Sequence, residues 1–197
     1  TTDSFCDAFT ESFQEIACEI EPLGVDLDQE FDLVILAYTV WYLSPAIPIS
    51  SFLQSSAARQ LLKDRPVVTV IGCRNMWLMA QEKVKKRIQE AGGRLKGNIV
   101  LMDRAANLVG VATIAYWMLT GKKERPMMLL PRPGVSDQDI RESRRFGPLL
   151  RDPEALEQSE LNALGAVHVV PAYIVFEQRI EKVFSIWSNF IRQKGGP

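Results

Sequence analysis

Phe31-Asp-Leu-Val-Ile-Leu-Ala-Tyr-Thr-Val-Trp-Tyr-Leu-Ser-Pro-Ala-Ile-Pro48 passes from an apolar run through an aromatic turn to a proline able to open a helix. A run such as Phe31 to Ala37 suits a parallel strand buried on both faces. Pro48 suits a first helical turn, and Ile49, Phe52, Leu53, Ala57 and Leu61 follow at helical spacing. The same sequence of events then repeats. Pro66-Val-Val-Thr-Val-Ile71 reads as a second buried strand ending at Gly72. Met76 to Ala91 reads as a helix with Ala80, Val84, Ile88 and Ala91 on one face, stopped by Gly92-Gly93. Arg94 to Met102 reads as a third strand. Alternation of this kind predicts an α/β chain with a doubly wound parallel sheet.

Working outward, Phe5, Phe9, Phe13 and Ile16 predict an amphipathic helix from Thr2 to Ile16, and Ile16 to Leu23 reads as a strand. Only seven residues separate Leu23 from Phe31, too few for a parallel crossover. Residues omitted near 24–30, and a first strand missing before residue 1, would account for that spacing and for a start on a helix. Beyond Met102, Ala105 to Thr120 reads as an apolar helix and Pro126 to Pro133 as a proline-broken connection. Ser136 can cap a helix running towards Leu150, which Gly147-Pro148 should bend or end. Asp152 to Leu164 reads as a further helix, and Ala166 to Phe176 as an edge strand or bulge containing Pro171. The last helix is expected to bury Ile180, Val183, Phe184, Trp187, Phe190 and Ile191. The whole fits one domain over 1–197 with additional C-terminal helices and an edge strand.

The 197 residues carry a formal net charge of -1, which gives no global case for nucleic acid. Arg104 to Arg151 holds nine Lys/Arg against four Asp/Glu, a basic stretch that reads first as a solvated face. Cys6, Cys18 and Cys73 form no CxxC, and His168 is the only histidine, so neither a disulfide framework nor a structural metal site is expected. A reducing cytoplasm is the natural compartment, with a peripheral membrane contact the weaker reading. GxGxxG, GxxxxGK[ST], GxSxG and HExxH are all absent. Cys73 would need a base to act as a nucleophile, and none stands near it in the sequence.

In an open parallel sheet, ligands bind beyond the carboxyl ends of the strands. Two turns therefore carry the expected site: Tyr38 to Pro48, and Gly72 to Trp77. Both place aromatic and polar groups where packing does not demand them, which suits a planar heteroaromatic ring needing stacking area and edge hydrogen bonds. The plain alternative is that Trp41, Tyr42 and Trp77 only plug the end of the sheet. Leu108 to Leu119, apolar nearly all round, reads as a buried or dimer helix, as a lining for alkyl chains, or as a membrane-surface helix.

The stretch Asp32 to Leu53 resembles the third strand, ring-binding loop and following helix of flavodoxin-like FMN oxidoreductases. More narrowly, Val70-Ile-Gly-Cys-Arg-Asn-Met-Trp-Leu-Met-Ala-Gln-Glu-Lys-Val-Lys-Lys-Arg87, with Gly97-Asn-Ile-Val-Leu101 and Pro133-Gly-Val-Ser136, resembles the family of dialkylresorcinol condensing enzymes. The resemblance implies a flavodoxin-like fold and an FMN cofactor. It implies a flavin-dependent step that oxidises a dialkyl cyclohexanedione to the aromatic resorcinol. True condensation would need a reactive Cys with His partners, which a single His168 does not supply. On this reading Thr39, Val40, Trp41, Tyr42 and Leu43, with Gly72, Cys73, Arg74 and Asn75, hold the flavin ring. Thr1 and Thr2 stand at the phosphate end, at a helix N-terminus. Arg74 would stabilise an anionic reduced flavin or enolate, and Tyr42 would relay a proton. The expected partners are a hydrophobic small-molecule substrate, a second copy in a homodimer, and a ketosynthase or carrier protein. Two other readings stay open: a NAD(P)H:quinone-type flavin reductase, and a flavin-free scaffold serving a ketosynthase or carrier protein, in which Arg141, Arg144 and Arg145 would contact an acidic carrier.

Overall fold

The protein is seen in a computed structural model that describes residues 2–103 and 134–194, with side chains from Asp7 onward. Within them the chain forms an α/β protein built on a four-stranded, mostly parallel open sheet. The elements, in chain order, are α1 (Thr2–Phe13), β1 (Val34–Trp41), β2 (Ser44–Pro45), α2 (Ile47–Gln54), α3 (Ser56–Leu62), β3 (Pro66–Cys73), α4 (Leu78–Glu90) and β4 (Arg94–Met102). After residue 133 come α5 (Asp137–Glu142), two 3-10 turns (Ser143–Phe146 and Leu149–Arg151), α6 (Gln158–Ala163) and α7 (Pro171–Gln193). The sheet order is β2-β1-β3-β4. β1, β3 and β4 run parallel, and β2 pairs antiparallel with the end of β1.

Alternation along the strands separates two cores. Leu36, Tyr38, Val67 and Ile71 pack with Phe52, Leu62, Ala80, Val84 and Ile88 from α2 to α4. On the other face Val68 and Ile99 pack with Phe146, Leu156 and Leu161. Among the described residues the second core covers β3 and β4 but not β1, whose Ile35 and Trp41 are 53% and 43% exposed. Gly97 lies in that second core, beside a register shift at Val67 and Val68. A Cβ there would stand 2.5 Å from Leu161 Cδ1, so the missing side chain is what lets α6 settle on β4.

Several sequence expectations change. Ile16 to Leu23 is not a strand: it runs as irregular chain, tied down by Cys18 N–H donating to Ser51 Oγ at 3.0 Å. Without a strand there, the seven-residue link to Phe31 has no crossover to make. The single helix expected after Pro48 is two, because Ser55 breaks α2 and caps α3, its side chain accepting from Ala58 N–H. Ser136 does cap α5, but that helix ends at Glu142, ahead of Gly147-Pro148. The helix expected over Asp152 to Leu164 shrinks to α6, started by a capping box between Glu157 and Glu160.

The largest correction concerns the edge strand expected at Ala166 to Phe176. Residues 166–170 form no strand, and Pro171 opens α7, where its absent N–H costs nothing. Nor does α7 bury the face expected of it, for Val183, Trp187 and Phe190 are each half exposed. The apolar helix expected over Ala105 to Thr120 and the connection Pro126 to Pro133 lie outside the described residues. No helix among the described residues is long and apolar enough to cross a membrane.

Gly97→Ala is expected to lower stability by about 1–3 kcal/mol through overpacking against the fully buried Leu161. Urea denaturation checks it; an unchanged midpoint would mean α6 yields freely.

Candidate functional site

Parallel pairing of β1 with β3 sets Thr39 opposite Gly72, so the turns that follow these residues flank one crevice. β1 leaves the sheet through a tight hairpin in which Tyr42 and Leu43 both take positive φ, 50° and 60°. Two-residue hairpins of that twist favour Asn and Gly, so a Tyr-Leu pair carries backbone strain, on the order of 1–2 kcal/mol per residue. Three residues, Ser12, Lys83 and Phe9, hold it in place. Ser12 Oγ donates to Trp41 O, Lys83 Nζ donates to Ser44 Oγ at 2.7 Å and to Phe13 O at 3.0 Å, and the Tyr42 ring meets Phe9 edge-on at 5.2 Å. Burial pulls the Lys83 ammonium below its ordinary pKa, partly offset by Glu15 and Glu181.

Between the two turns lies a cavity of about 530 Å³ lined by Val40, Tyr42, Leu43, Arg74, Asn75, Met76, Tyr173, Phe176 and Phe184. Its walls are mostly apolar, and its volume is that of a small-molecule site. Arg74 supplies the charge. Its Nε stands 3.8 Å from Asp103 Oδ2, an ion pair too long for a hydrogen bond. Nε and Nη2 are both buried and hydrogen-bond to no group among the described residues. The protein itself encloses these two atoms, so it is the rest of the side chain, 28% exposed, that reaches the cavity. Burial also raises the Tyr42 phenol above its ordinary pKa, so near neutrality it stays a proton donor.

A broader depression of about 880 Å³ lies at the opposite end of the strands, between Phe31, Asp64, Arg65, Arg94 and Glu154. Arg94 and Glu154 pair across it, and it opens at the amino ends of β3 and β4, where a parallel sheet presents no converging loops. The cavity at the carboxyl ends is therefore the candidate site.

Of the residues expected from the sequence, the fold gathers Val40, Tyr42, Leu43, Arg74 and Asn75 around this cavity. Thr39 and Trp41 alternate onto the opposite, exposed face of β1 and do not line it. Gly72 lies in β3, where a Cβ would meet Thr39 Cγ2 at 3.8 Å. Cys73 points into the core beside Trp77, and burial pushes its thiol up to about 12, with Glu177 adding to the effect. Thr1 and the side chain of Thr2 lie outside the described residues. His168 is exposed and does not line the cavity. Arg145 is committed to structure: it donates to Leu164 O and Glu142 O and stacks 4.3 Å from the Phe146 ring.

Sequence reasoning missed the wall that α7 supplies. Tyr173, Phe176 and Phe184 come from it, and so does Glu177, which is fully buried. Its carboxyl accepts from Trp77 N–H at 2.9 Å and Leu78 N–H at 3.3 Å through Oε1, and from Met79 N–H at 2.9 Å through Oε2. These are the free donors of the first turn of α4, where a helix attracts negative charge. Desolvation raises the Glu177 pKa, against the pull of those three N–H groups. The available signal was Pro171 as a first helical residue, followed by Tyr173, Phe176, Ile180 and Phe184 at helical spacing.

The fold and cavity thus define a protein of the open α/β class with a ligand-sized crevice at its strand ends. Comparison with family models, with curated proteins and with solved structures returns no match. Among the described residues no cluster of His, Cys, Asp or Glu is arranged to hold a metal ion.

Two outcomes are expected here. Glu177→Gln turns an NH2 towards one of the three backbone donors and should cost about 1–3 kcal/mol of stability, with Glu177→Ala costing more. Thermal unfolding of the two variants checks the order. Cys18 should react with iodoacetamide in the folded protein at pH 8 while Cys73 stays protected until denaturant is added; peptide mass mapping reads both.

Proposed function

We propose that the chain is an FMN-dependent oxidoreductase of flavodoxin-like architecture, whose cavity between the turns after β1 and β3 takes a flat, electron-poor ring. The observation that carries this reading is the guanidinium-bearing side chain of Arg74, 28% exposed, in the lining of a largely apolar cavity. A flavin ring fits such a place, since its body is apolar and its edge gathers negative charge on reduction. Val40, Leu43 and Met76 would contact the ring, and Arg74 and Asn75 would meet its polar edge.

When bound, FMN supplies a hydride acceptor. Everything else falls to the chain. Arg74, held by Asp103, presents its donors to an anionic oxygen on the flavin or on an enolate. Tyr42 holds a proton at its hydroxyl, on a hairpin too constrained to drift. Tyr173, Phe176 and Phe184 keep water from the apolar wall, which strengthens the Arg74 interaction. The resemblance to the dialkylresorcinol condensing enzymes supplies the substrate in this proposal: a dialkyl cyclohexanedione that loses two hydrogens to become the resorcinol. The free thiols at Cys18 and Cys73 accord with a reducing, cytoplasmic setting.

Titrating the purified chain with FMN, read by flavin fluorescence quenching, should give saturable binding that Arg74→Ala weakens about ten- to hundredfold. Single-turnover reaction with a dialkyl cyclohexanedione should yield a product lighter by two hydrogens. No FMN binding would overturn the proposal. Rapid NAD(P)H oxidation with a quinone acceptor, without dione turnover, would replace the aromatase by a quinone reductase.

A further inference from the structure

α7 is 23 residues long, about 35 Å at 1.5 Å per residue, and only one side of it is used. Glu177, Phe184 and Ser188 face α1 and α4: Phe184 packs edge-on against Phe9 and Phe13, and the Ser188 hydroxyl accepts from Gln14 Nε2. The neighbouring side carries Phe176, Val183, Ile186, Trp187 and Phe190, exposed by 53%, 50%, 70%, 56% and 51%. At roughly 100 Å² each these residues leave some 500 Å² of contiguous apolar surface, at the upper end of what a monomer shows. With the ends of the stripe and its flanking stems, that approaches the ~800 Å² per partner of a stable dimer.

The order of the side chains says what covers it. Phe176, Val183 and Phe190 are spaced by seven residues on either side of Val183. A two-fold axis passing beside Val183 therefore brings α7 against an antiparallel copy of itself. Phe176 of one copy then faces Phe190 of the other, Val183 faces its own equivalent, and Ile180 lies beside Trp187. Two-fold interfaces require this self-complementarity, and an unrelated partner does not. Two charges border the stripe: Lys194, whose Nζ stands 5.8 Å from the Phe190 ring centroid, and Arg179, whose long stem beside Ile186 can carry the guanidinium to water.

We infer that the exposed face of α7 is a homodimer interface, formed by antiparallel packing of α7 on its copy about Val183. Phe176 also lines the cavity, so Phe190 of the second copy stands against the outside of that wall and completes the cover over the site. The inference rests on the helix face alone and holds whether or not the cavity binds a flavin.

Sedimentation equilibrium of the full chain at micromolar concentration should give twice the chain mass. Ile186→Lys with Trp187→Lys should raise the dimer dissociation constant a hundredfold or more while leaving circular dichroism unchanged, since both side chains are exposed in the single chain. In a Cys18→Ser background, Val183→Cys should cross-link to its own copy on mild oxidation. A monomer at those concentrations overturns the inference, as does a dimer that survives the double substitution without cross-linking at 183. A monomer that binds lipid vesicles through these residues also overturns it and assigns the face to a membrane surface.

Discussion

A buried carboxylate at the head of a helix organises this molecule. Glu177 closes three backbone donors at the start of α4. That contact joins residues 100 positions apart and sets the height and roll of α7 against the sheet end. Once α7 is held so, Tyr173, Phe176 and Phe184 form one side of the cavity and Phe184 wedges against α1. The charge is costly to bury, which is why three hydrogen bonds and the positive end of the helix dipole must meet it. An anion drawn to this helix terminus finds it filled from within the chain.

The other side of the cavity follows from strand register. Thr39 and Gly72 are neighbours in the sheet, so the two turns cannot separate. The turn after β1 reverses at once into β2, and its positive-φ residues are clamped by Ser12, Lys83 and Phe9. A network behind it stiffens the floor: Tyr38 Oη donates to Gln81 Oε1 at 2.6 Å, and Gln81 Nε2 donates to Thr69 Oγ1, which in turn bonds Asn98. Burial keeps the Tyr38 phenol firmly protonated. Arg74 thus projects from a rigid base, and a ligand meeting its side chain would not have to order the surrounding loops first.

Much of this was legible in the residues. The bounds of β4 agree with the apolar run Arg94 to Met102, and α4 buries Ala80, Val84, Ile88 and Ala91 as their spacing demands. Five of the residues expected at the strand ends, from Val40 to Asn75, do meet at one cavity. Thr39 and Trp41 lie off its lining because a strand persists to Trp41, and period-two alternation sends those two side chains to the far face. Cys73 lies off it likewise, since the strand reaches it and turns it inward. The strand expected before α7 failed because a short apolar run with a proline does not distinguish an edge strand from a helix start until its partners are known.

What the sequence by itself determined was local: which segments are strands or helices, and that their alternation lays the strands parallel. Periodicity suffices there because each pattern reports the face its own element buries. Only the tertiary structure decided that Glu177 would cap a helix 100 residues away, that α7 would wall the cavity, and that the described residues would leave one apolar face of α7 exposed. Those outcomes depend on which element packs against which, and an amphipathic pattern specifies that a face seeks burial without specifying its partner.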